Sequence, residues 1–248
     1  MVTLGCSRSG AESGLLASVA AENVLLRIGA ACAVSGPILA LVVSVLHPRP
    51  SELDDHEAFL AAAAESPTRW LVVHLGLVFA SIFFLGGLVA LSRSLWTGRA
   101  AALARVALVG AVAGTALRLV QESVDLALGE VAEDWERAVG SDKAAALRVG
   151  AALEDVDFAM LSVQILFFFG LTFILYGLAV RTGEIYPPRL GWLAIVPGFG
   201  AVVVGLVQLL TGPSFLTAFV FPAIAALLSL WLVVIGVLLW RRTLPDHR

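Results

Sequence analysis

Residues 105–126 read RVALVGAVAGTALRLVQESVDL. Up to Leu117 the run is almost wholly apolar or small, as in a helix that crosses a bilayer, which takes about 20 such residues. It then carries Arg118, Glu122 and Asp125. These lie at i, i+4 and i+7, within a stripe ~60° wide on a helix. Burying charge in hydrocarbon costs at least ~2.5 kcal/mol per group, so such side chains face a partner or a wet cavity. The stretch predicts a helical membrane protein and marks where its chemistry is concentrated.

The remainder of the chain agrees with that reading. Of 248 residues, 59% are hydrophobic and 14% charged, whereas a soluble domain carries about 25% charge. Six segments are long and apolar enough to span: 24–46, 70–92, 104–126, 157–180, 190–211 and 215–240. They predict an all-α six-span bundle, with 24–240 as one membrane domain between tails at 1–23 and 241–248. Trp70 marks one interface, and Trp96, Tyr186, Trp192 and Trp240 mark the other, as aromatic belts do. Ten of the sixteen Lys and Arg fall on the side of the termini and five on the opposite side, with Arg118 left over. By the positive-inside rule both termini are expected in the cytoplasm. Net charge is −3, and no basic surface suggests nucleic acid.

Two outer connections are long. Residues 47–69 hold Glu52, Asp54, Asp55, His56 and Glu57. Residues 129–154 hold Glu130, Glu133, Asp134, Trp135 and Glu136. Both are expected to form short amphipathic helices at the interface. His56 and His247 read as exposed.

Spans one, three and five open on a shared pattern. Arg27, Gly29, Val34 and Gly36 correspond to Arg105, Ala107, Val112 and Gly114, and to Arg189, Gly191, Val196 and Gly198. The offsets are 78 and 84 residues, and the pattern suggests three hairpins in parallel repeat. Each odd span carries a stripe of small residues, which lets backbones approach closely in lipid. Each stripe turns polar at its outer end: His47 in the first, Arg118, Glu122 and Asp125 in the third, and Gln208 in the fifth. His74 lies one turn inside span two. Asp157 begins span four, with Gln164 two turns deeper on the same face.

These eight residues (Arg118, Glu122, Asp125, Asp157, His47, His74, Gln164 and Gln208) are the candidate binding residues. Two imidazoles near carboxylates would suit Zn²⁺ or another borderline divalent ion. No His-x-x-x-His or His-Glu-x-x-His spacing supports one, and no metal or other cofactor is expected. No nucleophile elbow or phosphate-binding glycine loop is present, so no catalytic residue is assigned.

Three motifs carry a resemblance: His47-Pro48, the Trp70-to-His74 start of span two, and Tyr186-Pro187-Pro188-Arg189-Leu190-Gly191-Trp192. On them the chain resembles a group of bacterial, largely actinobacterial, six-span membrane proteins catalogued as a domain of unknown function. The resemblance implies a multi-pass protein of the bacterial plasma membrane and brings no activity with it. The favoured functional reading is a binding or transport-type protein with a polar pocket opening outward between spans one to four. Arg118 would anchor an anion or headgroup there, and Glu122, Asp125 and Asp157 would be proton or cation sites. Its partners would be the lipid bilayer and a small molecule, ion or lipid. The alternatives are an intramembrane enzyme using its carboxylates on a lipid-like substrate, or a structural protein whose buried charges only fix packing.

Overall fold

The computed structural model describes residues 8–50 and 55–244, which form helices joined by short connections, with no strand. The elements are α1 (Arg8–Leu46), α2 (His56–Ala64), α3 (Pro67–Ser94), α4 (Gly98–Arg137), α5 (Gly140–Gln164), a π-helical segment (Ile165–Thr172), α6 (Phe173–Thr182), α7 (Pro188–Thr211) and α8 (Phe215–Arg242). α5, the π segment and α6 run on as one rod. Six helices are thus long and apolar enough to cross a membrane. Ile28, Phe79, Val109, Val203 and Leu230, more than half exposed, point outward from the bundle. A perimeter this apolar needs lipid around it, and the chain is a multi-pass membrane protein.

Helix ends follow local chemistry. Asp55 caps α2 by accepting hydrogen bonds from the backbone amides of Glu57 (2.8 Å) and Ala58 (3.2 Å). Pro67 and Pro188 open α3 and α7, where a missing amide hydrogen is harmless. Ser214 and Thr217 form a reciprocal capping box at the start of α8. Between α4 and α5, Gly140 has φ +60°, a left-handed conformation that lets the chain reverse at once. α1 begins at Arg8, so helix includes much of the segment expected as a loose tail. Its Ala, Leu and Glu content favours that.

Each long helix packs on its neighbours in chain order, and α8 closes on α1, giving a ring of six. Glycines set the closest approaches. A Cβ on Gly36 would stand 2.7 Å from the Phe84 backbone nitrogen, and one on Gly177 would stand 2.6 Å from the Gly191 carbonyl oxygen. The small-residue stripes are therefore packing faces, as expected. The stripe of α7, however, packs backward on span four, where Gly198 and Gly205 meet Gly170 and Leu166, rather than forward on α8.

The π segment explains the centre of the ring. Its wider turn brings the adjacent Phe168 and Phe169 both into the core. Phe168 packs edge-on to Phe173 at 5.9 Å, Phe169 stacks on Phe173 at 6.2 Å, and Phe84, Phe221 and Trp231 surround them. This filled core leaves the polar residues gathered towards the end of the bundle that carries α2.

At that end, the second long connection is not made of separate interfacial helices. α4 has 40 residues, about 60 Å at ~1.5 Å per residue, against ~30 Å of hydrocarbon. α4 and α5 both run on as a helical hairpin that turns at Ala138–Val139. α2 lies against it, as the helix expected in the first connection.

Close backbone approach generates a stability contrast. Gly177→Ala and Gly36→Ala force their methyl groups onto backbone atoms and are expected to destabilise by ~1–3 kcal/mol, the usual range for overpacking. Gly200→Ala meets only the flexible end of Ile224, at 3.0 Å, and is expected to lower the thermal midpoint less. Thermal unfolding of the three detergent-solubilised variants checks the order.

Candidate functional site

The polar face of α4 is buried between α3 and α5. Glu122 is 0% exposed, His74 1%, Asp125 5% and Asp157 8%. His74 Nδ1 donates to Glu122 Oε2 at 2.8 Å and lies 3.5 Å from Asp125 Oδ2. Arg118 pairs with the other carboxylate oxygen of Glu122, one turn away, and donates to Gln121 Oε1 at 2.9 Å. Glu122 is thus held between a guanidinium and an imidazole. Asp157 enters from α5 beside Asp125, Gln121 and Arg118.

Aromatic rings fix the imidazole in place. Trp70 lies against His74 with ring centres 4.4 Å apart, and its indole N–H donates to the Asp125 carbonyl at 2.7 Å. His47, at the end of α1, stands edge-on to His74 at 5.1 Å. Its Nδ1 lies 2.7 Å from the Pro48 carbonyl oxygen. A carbonyl only accepts, so Nδ1 carries a proton.

Six of the eight candidate residues come together: Arg118, Glu122, Asp125, Asp157, His47 and His74. Gln164 and Gln208 are buried on span four and α7, but no hydrogen bond joins them to the cluster among the described residues. The site is also closed rather than an open vestibule. Leu60, Leu128, Trp135 and Phe59 form a second apolar cluster over Trp70, so α2 and the α4–α5 hairpin cap the polar group. Arg118, 19% exposed, is its open edge.

Sequence reasoning missed three participants. Gln121 joins Arg118 to Asp157, and its position three residues after Arg118 was the available signal. Trp70 reads as an interfacial ring yet donates to the backbone of a site residue. Glu154, one turn before Asp157, bonds His56 Nδ1 at 2.8 Å and so fastens α2 to α5. His56 is half-exposed but not free; His247 lies outside the described residues.

The charge balance within the cluster is uneven. Among the described residues, Glu122, Asp125 and Asp157 bring three carboxyl groups, and Arg118 is the one guanidinium among them. With a neutral imidazole this leaves an excess of two negative charges if all three ionise. Among the described residues, His74 Nε2 and Asp157 Oδ1 are buried with no hydrogen-bond partner. No family model, curated protein or solved structure matches the chain.

The α2 clasp is pH-sensitive. The hydrogen bond to Glu154 raises the His56 imidazole above its ordinary 6.5, against the smaller effect of burial, and Asp155 and Asp55 add to the rise. A pKa raised by folding contributes stability that is complete below the unfolded value and is lost as pH climbs through the folded one. Amide hydrogen exchange in 57–64, corrected for intrinsic rates, is therefore expected to accelerate between pH 6 and pH 9. In His56→Ala the exchange should already be fast at pH 6 and show no such step.

Proposed function

We propose that the chain is a binding or transport-type membrane protein whose ligand is a cation, taken up by the buried Glu122 cluster. The observation that carries this reading is the excess of carboxyl groups in an enclosed site within a lipid-embedded bundle. A charge pair that only pins helices needs one acid and one base, and apolar side chains do that work at least as well. Three carboxyl groups around one guanidinium leave charge that a proton or another cation must meet.

The same geometry disfavours an anion or headgroup on Arg118. Its guanidinium is already engaged by Glu122 and Gln121. The arginine distribution supports an outer position for the α2 end, and the cation would then arrive past α2 and the α4–α5 hairpin. The core beneath, filled by Phe84, Phe168 and Phe173, supports an outer binding site rather than an open channel.

Cation-linked stability tests the reading. A ligand bound only by the folded state stabilises it by about 2.7 kcal/mol at 100 times its dissociation constant. The thermal midpoint of the purified protein should respond to protons or to one of a panel of mono- and divalent cations. The Glu122→Gln, Asp157→Asn double variant, which retains His56 and Glu154, should lose that response. Identical behaviour of the two proteins across the panel would overturn the assignment.

A further inference from the structure

We infer that His74, Glu122 and Asp125, with Asp157 beside them, form a binding site for a divalent first-row metal ion of the Zn²⁺ or Mn²⁺ class. The inference rests on the cation reading above and names the kind of cation.

Donor chemistry is the first argument. One imidazole and carboxylate oxygens are borderline-to-hard ligands, suited to Zn²⁺, Mn²⁺ or Fe²⁺ rather than to a soft monovalent metal. Among the described residues no thiol competes: Cys32 lies on α1 towards Gly86 of α3, away from the cluster.

Geometry is the second. Ligand atoms ~2.0–2.2 Å from one ion stand roughly 2.9–3.5 Å from each other in octahedral or tetrahedral arrangements. His74 Nδ1 is 2.8 Å from Glu122 Oε2 and 3.5 Å from Asp125 Oδ2, and the three ligand atoms lie within 4.8 Å of one another. An ion there would take the place of the proton that His74 Nδ1 donates to Glu122, and the neutral imidazole would carry its proton on Nε2. Glu122 and Asp125 sit three residues apart on α4, so one rigid helix face presents both carboxylates.

One further observation points to a ligand independently of spacing. Asp157 Oδ1 is a buried polar atom with no hydrogen-bond partner among the described residues, and such an atom in a folded protein calls for an explanation. With all three carboxyl groups ionised, a divalent ion would neutralise the excess of two negative charges.

The surroundings suit a metal site. Arg118 holds the outer oxygen of Glu122, and Trp70 fixes the Asp125 backbone and the face of His74. Such outer contacts orient ligands, and losing one commonly weakens binding 10–100-fold. His47 packs on the edge of His74 as a wall, with its Nδ1 committed to Pro48.

Zn²⁺ binding to the full chain, stripped with chelator and held in lipid nanodiscs, tests the site by calorimetry and by metal analysis after desalting. One tightly held ion per chain is expected, with Asp125→Asn and His74→Ala each weakening it by more than ~100-fold, beyond the loss of an outer contact. His56→Ala should leave binding unchanged. Retained binding in Asp125→Asn and His74→Ala, or loss in His56→Ala, would overturn the inference. Should those variants fail to fold, X-ray absorption of the Zn²⁺-loaded natural protein decides: one imidazole among oxygen ligands supports the site, and sulfur or two or more imidazoles refute it. If neither Zn²⁺ nor Mn²⁺ binds while the thermal midpoint still responds to protons or another cation through Glu122 and Asp157, the metal inference falls and the cation reading stands. If no cation, protons included, gives that response, both fall.

Discussion

Glu122 is the side chain on which the α2 end of this bundle depends. It is wholly buried, one oxygen facing Arg118 on its own helix and the other facing His74 on α3. Polar groups in a membrane interior must be satisfied within the protein. That requirement ties α3 to α4 at a fixed height, and Trp70 strengthens the tie through the Asp125 carbonyl. Asp157 brings span four to the same point. The small-residue stripes below need no such device, since glycine and alanine let the helices meet by van der Waals contact alone.

Two kinds of packing divide the molecule. Through most of the ring, close backbone contacts at Gly36, Gly177 and Gly205 and a plug of phenylalanines leave little space. At the α2 end, the cluster is polar, and His74 Nε2 and Asp157 Oδ1 have no hydrogen-bond partner among the described residues. Rigid helices thus position a group of ionisable side chains whose own interactions are incomplete. The apolar cap formed by α2 with the α4–α5 hairpin then separates that group from the aqueous side. The His56–Glu154 contact, at the polar rim of the cap, makes its attachment responsive to pH.

Much of this was legible in the sequence, for physical reasons that also mark the limits. Unbroken apolar length gave the six spans. The i, i+4, i+7 spacing of Arg118, Glu122 and Asp125 gave the face, and common depth picked out His47, His74 and Asp157. The helical extensions were not legible as such, because a helix that continues into water loses its hydropathy signal while keeping its backbone. Residues 129–154 therefore read as separate interfacial helices. Gln164 shares a face with Asp157 on α5 but lies seven residues, or ~10 Å at ~1.5 Å per residue, along the helix, so a common face did not bring contact with the cluster. Gln208 was linked by a repeat in which the α7 face packs backward on span four. Enclosure by α2 depends on long-range contacts, such as Leu60 against Gly150, that no local pattern encodes.

Whether the buried charge serves packing or binding is the question on which this account turns. Thermal unfolding of an Arg118→Leu, Glu122→Leu double variant, with and without the cation that stabilises the natural protein, addresses it most directly. Replacing a buried pair by apolar residues is often neutral or stabilising by ~1–4 kcal/mol, so the variant is expected to fold. The account predicts that its thermal midpoint no longer rises when the cation is added. A variant that keeps the full cation-dependent rise would contradict it.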